Sequence, residues 1–166
     1  VADTNALTFT EALTAAHISI DGLQMRGTTT DTAGIIWAGG TAGTVTIRDN
    51  IIRNINHTGA DGVNAGGGNG IRFGAGVSAS TVANIYNNLV YTDSTRQGYG
   101  ITLYDYTGTA NIYNNTVEGM NYGIYLHSGS ITAVRLKNNI FSRNANNDLL
   151  VTAGAWTTTA SNITSD

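Results

Sequence analysis

The chain contains no cysteine and no proline in 166 residues, and only 11% of its residues are charged. Without cysteine, a disulfide framework and a thiolate zinc site are both excluded. The charged fraction is under half of the roughly 25% usual in soluble domains. With 8 basic and 11 acidic residues the net charge is -3, far from the basic footprint that phosphate neutralisation demands, so nucleic acid is not an expected partner. No apolar run approaches the roughly 18 residues of a membrane span. The chain opens on Val1, with neither an initiating methionine nor a charged-then-apolar leader, as a processed or excised segment would. A sustained 3.6-residue apolar stripe is missing outside Thr10 to Ala16, which argues against a helical protein. What is abundant is glycine, 21 residues, nearly twice the usual share of about 7%.

Self-similarity organises the rest. One pattern reads apolar, exposed, turn pair, variable, apolar: Ile47-Arg48-Asp49-Asn50-Ile51-Ile52, Ile85-Tyr86-Asn87-Asn88-Leu89-Val90, Ile112-Tyr113-Asn114-Asn115-Thr116-Val117 and Leu136-Lys137-Asn138-Asn139-Ile140-Phe141. Degenerate copies flank these at Ile20 to Met25 and Ser161 to Thr164. A second pattern interleaves with the first: Ala6-Leu7-Thr8-Phe9, Gly34-Ile35-Ile36-Trp37, Gly70-Ile71-Arg72-Phe73, Gly100-Ile101-Thr102-Leu103, Gly123-Ile124-Tyr125-Leu126 and Asp148-Leu149-Leu150-Val151. From the second pattern to the following turn pair the distance is nearly constant, 14 to 18 residues, whereas the return varies from 8 to 20. One connection therefore tolerates insertions, as a loop on one face of a solenoid does. Each copy alternates apolar with polar or small residues, the period of a strand with one buried face.

These motifs, "I-x-N-N-x-V" alternating with "G-I-x-L", resemble those of right-handed parallel β-helix proteins, the pectate-lyase-like solenoids, over essentially the whole chain. The resemblance implies an all-β, single-domain solenoid (1–166) of about six coils, three short strands to a coil, with an asparagine ladder of Asn50, Asn88, Asn115, Asn139 and Asn162 that Leu23 interrupts in the first coil. Elementary chemistry supports it independently. An Asn amide has two donors and an acceptor, so side chains stacked at about 4.8 Å can bond one another and the buried turn backbone. The core is expected as columns of Leu7, Ile35, Ile71, Ile101, Ile124 and Leu149 beside Phe9, Trp37, Phe73, Leu103, Leu126 and Val151.

Fold does not fix function, so the outward positions must be read separately. In the enzymes of the resembled family the cleft lies on the outer face of the strand marked by the second pattern. There Arg72, Tyr104 and His127 fall on three adjacent coils, with Asp105 beside Tyr104. As a uronan lyase or epimerase, Arg72 would neutralise a substrate carboxylate, His127 would remove the neighbouring proton and Tyr104 would donate on the other side. The bland alternative is scattered surface Tyr and His. On the neighbouring strand Tyr86 and Tyr113 are expected to stack as a sugar-binding platform or as a structural aromatic ladder. The loop Asp61 to Gly70 lacks the several carboxylates of a calcium site and reads as a glycine-rich surface loop. No cofactor or metal is expected.

The sequence shows no cap at either end, and joining the C-terminus of one copy to the N-terminus of another reproduces an internal turn-to-strand spacing. The leading expectation is therefore a structural subunit of an extracellular or cell-surface filament, assembled head-to-tail through open coil ends. Leu7, Phe9, Ile20 and Leu23 would meet Val151, Trp156, Ile163 and Thr164 across the joint. The alternatives are a secreted carbohydrate-binding or uronan-modifying protein with a polysaccharide partner, and a stretch excised from a longer β-helix. An ice-binding solenoid ranks last, because the repeat length varies and there is no regular Thr-x-Thr plane.

Overall fold

The computed structural model describes residues 5–9, 17–27, 33–37, 43–55, 68–74, 77–93, 98–127, 131–152 and 157–165. In chain order the strands are β1 (Asn5–Phe9), β2 (His17–Asp21), β3 (Gln24–Arg26), β4 (Ala33–Trp37), β5 (Thr44–Arg48), β6 (Ile51–Arg53), β7 (Asn69–Phe73), β8 (Val82–Tyr86) and β9 (Leu89–Tyr91). They continue as β10 (Tyr99–Tyr104), β11 (Thr109–Tyr113), β12 (Thr116–Glu118), β13 (Tyr122–His127), β14 (Ala133–Lys137), β15 (Ile140–Ser142), β16 (Asn147–Val151) and β17 (Thr158–Ala160). No helix occurs among the described residues.

Every third strand pairs, always in parallel. The first sheet runs β1-β4-β7-β10-β13-β16, the second β2-β5-β8-β11-β14-β17 and the third β3-β6-β9-β12-β15. This is a parallel β-solenoid. In about four turns, β4 to β15, the strands are flanked by pairing partners on both sides, the last of them through the bridge between Ile140 and Ile163.

Period-two alternation sets which residues fill the interior. Ile71, Ile101 and Ile124 are in register on the first sheet, Ile47, Ile85 and Ile112 on the second, and Ile52, Val90 and Val117 on the third. All are essentially inaccessible. Trp37, Phe73, Leu103 and Leu126 form the second expected column, while Leu149 and Val151, the last members of the first and second columns, are only partly buried. β1 pairs with β4 in the expected register, Leu7 to Ile35 and Phe9 to Trp37; the side chains of Leu7 and Phe9 lie outside the described residues.

The turn between the second and third sheets is the same in each repeat. Its first residue takes a positive φ: Gly22 at 68°, Asp49 at 56°, Asn87 at 56°, Asn114 at 55°, Asn138 at 56° and Ser161 at 52°. Asn and Asp tolerate this left-handed conformation better than other side chains. Its second residue forms the ladder. Asn88 Nδ2 donates to Ile47 O in one neighbouring coil, 2.9 Å, and to Asn115 Oδ1 in the other, 3.0 Å, and its backbone N–H donates to the same oxygen, 3.0 Å. Asn50, Asn115 and Asn139 repeat this arrangement, and Asn162 supplies the final acceptor. Leu23 contributes only its backbone N–H, to Asn50 Oδ1 at 3.0 Å.

The glycine of the second pattern has a steric reason. A Cβ on Gly100 would lie on Val117 Cγ1 of the third sheet and 2.6 Å from Gly123 O of the next coil. The first and third sheets meet too closely there for a side chain. In the last copy Asp148 takes this place and is 1% exposed. Its carboxylate accepts from Asn144 Nδ2 at 2.6 Å, and from the backbone N–H of Ser165 at 2.5 Å and its hydroxyl at 3.2 Å. A buried carboxylate requires such partners, so the segment ending at Ser165 is tied back to the start of β16.

Candidate functional site

The outer face of the first sheet gathers aromatic side chains from two adjacent strands. Tyr99 and Tyr104 come from β10, Tyr122, Tyr125 and His127 from β13, and Arg72 reaches in from β7. Register places Tyr99 opposite Tyr122 and Tyr104 opposite His127, and strand spacing of about 4.8 Å is near the stacking distance of aromatic rings. Tyr99 stacks on Tyr122, centroids 5.2 Å apart at 14°, and on Tyr125, 4.7 Å at 18°. Tyr104 and His127 are 4.3 Å apart and within 1° of parallel, and Tyr125 meets His127 edge-on at 5.5 Å. The Arg72 guanidinium carbon lies 5.1 Å above the Tyr104 ring, within cation–π range. Between the two halves of the strip, Thr102 is buried and its hydroxyl donates to Asn69 Oδ1 at 2.5 Å.

Five residues of extended strand cover about 17 Å, so the rings form a continuous half-buried strip of roughly that length. Burial first, and then the neighbouring Tyr125 and Tyr122, push the Tyr99 hydroxyl above the ordinary tyrosine range. Asp105 Oδ1 stands 3.7 Å from His127 Nδ1, a nitrogen shielded from solvent and without a hydrogen-bond partner. The strip therefore offers apolar ring faces, phenolic hydroxyls, one guanidinium and one carboxylate.

The expected trio of Arg72, Tyr104 and His127 is thus brought together. Tyr104 and His127 are in van der Waals contact, however, so no sugar ring fits between them. Tyr99 and Tyr122 escaped the sequence reading, although both precede the glycine of the second pattern as "Y-G-I". That position lies three residues before the outward Thr102 and Tyr125, so strict alternation would turn it inward. Alternation breaks at the glycine, because a Cβ on Gly100 would meet the core residue Val117 and the following Ile101 is also buried, and Tyr99 stays on the outer face against Tyr125.

Tyr86 and Tyr113 are register neighbours on the second sheet. Each is bound into a polar network: Tyr113 donates to Asn111 Oδ1 at 3.3 Å, and Asn111 also bonds Asn84 and accepts from Arg135. Arg48 donates to Asp21 at 2.9 Å. That bond, with a further contribution from Tyr86, holds its guanidinium above the usual arginine range.

Of the residues expected at a subunit joint, Ile20 is a core side chain and Val151 is partly buried against the core. Leu23, Ile163 and Thr164 are exposed. Trp156 lies outside the described residues, as does the glycine-rich stretch over 61–67.

Comparison of the chain with protein-family models, curated proteins and solved structures found no match.

Proposed function

We propose that the protein is a glycan-binding β-solenoid whose ligand lies along the aromatic strip of the first sheet. The observation that supports this is the continuous run of half-buried rings from Tyr99 to His127, ending at Arg72. Aromatic faces suit the apolar faces of sugar rings, and each hydroxyl of the sugar needs a polar partner such as the phenols and Asp105 supply. Arg72 gives the strip a preference for uronates, whose carboxylate a guanidinium matches in charge and shape.

The same reading takes the strands as a right-handed, pectate-lyase-like parallel β-helix of six coils. It is supported by the cyclic strand order, by six strands in each of two sheets, and by the near-universal right-handedness of parallel crossovers. The test is affinity electrophoresis through gels containing alginate, polygalacturonate or a neutral glucan. Retardation by a polysaccharide that is lost in Tyr125→Ala supports the proposal, and equal mobility in every gel refutes it. Release of unsaturated, ultraviolet-absorbing ends during the run would add a uronan-modifying activity to binding.

A second reading, head-to-tail self-association into an extracellular or surface fibre, is favoured by one observation. Leu23 and Ile163, at the first and last of the ladder turns, are 39% and 62% exposed. Electron microscopy of the protein with and without Leu23→Lys and Ile163→Lys tests it. Ordered fibres that the substitutions abolish support this reading, and unchanged fibres or none at all refute it.

A further inference from the structure

The outer face of the third sheet carries a second recognition feature. Arg26 of β3 is in register with Arg53 of β6, which is in register with Tyr91 of β9. In a parallel sheet, register neighbours lie about 4.8 Å apart, so two guanidinium side chains of like charge rise from adjacent positions on one face. Like charges placed directly opposite one another oppose pairing. Most of the other described arginines have a partner on the protein: Arg48 pairs with Asp21, Arg143 with Glu118, Arg135 with Asn111, and Arg72 lies over Tyr104. Among the described residues neither Arg26 nor Arg53 has an ion pair. The two border a half-open groove of about 300 Å³, lined also by Gln24, Met25, Ile51 and Tyr91.

We infer that this groove binds the oxyanion of an acidic sugar residue, a carboxylate or a sulfate ester. Paired guanidinium groups offer planar forks of donors that match either anion bidentately, and the Gln24 amide adds a neutral donor. The partly buried Met25 and Ile51 supply an apolar floor, and the Tyr91 ring a wall for the sugar. A volume near 300 Å³ is the lower end of small-ligand sites, enough for one monosaccharide unit and too little for a long chain. The bound anion would also relieve the repulsion between the two arginines. With a net charge of -3, the protein has no general basic field to attract anions, so binding must come from the groove itself. The site is on a different sheet from the aromatic strip and does not depend on the strip's function.

Isothermal titration of the full chain with galacturonate trimer, a sulfated disaccharide, inorganic sulfate and a neutral galactose trimer tests the inference. At least one acidic sugar should bind at least tenfold more tightly than the neutral trimer. In the Tyr125→Ala background, where the aromatic strip no longer contributes, binding should fall at least tenfold on adding Arg26→Gln or Arg53→Gln and be partly retained on adding Arg53→Lys. Preference for the trimer or for the disaccharide identifies carboxylate or sulfate ester as the group recognised. Binding of no acidic sugar at millimolar concentration overturns the proposal, as does binding that survives both glutamine substitutions or is equalled by the neutral sugar. Circular dichroism of each variant separates loss of the site from loss of the fold.

Discussion

The imidazole of His127 lies flat on the phenol ring of Tyr104, with 4.3 Å between centroids, and the Arg72 guanidinium rests above that phenol. Tyr104 therefore positions both the Arg72 guanidinium and the His127 imidazole at one end of the strip. Its replacement by Ala removes a stacking surface and frees Arg72 and His127 together. Aromatic contacts of this kind contribute about 0.5 to 1.5 kcal/mol each. Tyr104→Ala is expected to weaken polysaccharide binding roughly tenfold, since about 1.4 kcal/mol corresponds to that factor. Tyr104→Phe keeps the ring and should bind within about twofold of the original protein, a change near 0.4 kcal/mol. Titration calorimetry with a soluble oligosaccharide checks both.

The ladder gives a sharper stability prediction. Asn115 is 1% exposed; its Nδ2 donates to Ile85 O, Tyr113 O and Asn139 Oδ1, and its Oδ1 accepts from Asn88. Asn115→Ala strands several buried groups, each costing about 1 to 3 kcal/mol when unsatisfied, so a loss of about 3 kcal/mol is expected. Asn162 is more exposed and donates only one 3.5 Å bond through Nδ2, but its Oδ1 accepts from the backbone N–H and Nδ2 of the buried Asn139, so Asn162→Ala should cost about 2 kcal/mol, less than Asn115→Ala. Leu23→Asn runs the other way: it replaces an exposed apolar side chain with an amide beside Asn50 Oδ1 and should add up to about 1 kcal/mol. Urea denaturation of the three variants measures all of these differences.

Two glycines separate steric from conformational requirements. Gly100→Ala brings a methyl group against Val117 and the Gly123 carbonyl, overpacking that costs about 1 to 3 kcal/mol or more. Gly22 has no atom within 4 Å of a would-be Cβ but sits at φ 68°. Gly22→Ala should cost only the left-handed backbone penalty, roughly 1 to 2 kcal/mol. Gly22→Asn should recover much of that loss, because Asn occupies the same turn position in three other coils. Thermal unfolding of these variants ranks them.

How far the sequence speaks depends on whether a position repeats. The ladder and the core columns were legible because the same side chain must meet its own copy one coil on, so the constraint is written several times. Tyr99 and Tyr122 occur in only two coils, and their outward direction depends on a break in alternation at the glycine that follows each of them, which the repeated motif does not announce. Arg26 and Arg53 sit in coils otherwise unlike each other, and only strand register makes them neighbours. Asp148 was read as one more copy of the second pattern. Its carboxylate, in place of the glycine, is held by Asn144 and by Ser165, which folds back to it. Tyr106, alone in its loop, had no copy to announce it.

Tyr106 is fully buried, packs edge-on against Phe73 with centroids 5.3 Å apart, and directs its hydroxyl at Thr81 O, 2.8 Å, and Thr109 O, 2.9 Å. Burial above all pushes this hydroxyl well beyond the ordinary tyrosine range. In the unfolded chain a tyrosine ionises near pH 10. Above about pH 10, therefore, the unfolded state holds fewer protons than the folded one, and stability falls as pH rises. Below that pH the contribution of Tyr106 is complete. Tyr106→Phe cannot ionise but loses the hydroxyl donor to both carbonyls, a cost of about 1 kcal/mol at pH 8. Denaturant titrations at pH 8, 10 and 11 should show the Phe variant less stable at pH 8 and less steeply destabilised between pH 10 and 11. Tyr99, also shifted upward by burial, accounts for part of the remaining slope, so Tyr99→Phe combined with Tyr106→Phe should flatten it further. Parallel slopes for all three proteins would place the alkaline sensitivity elsewhere in the chain.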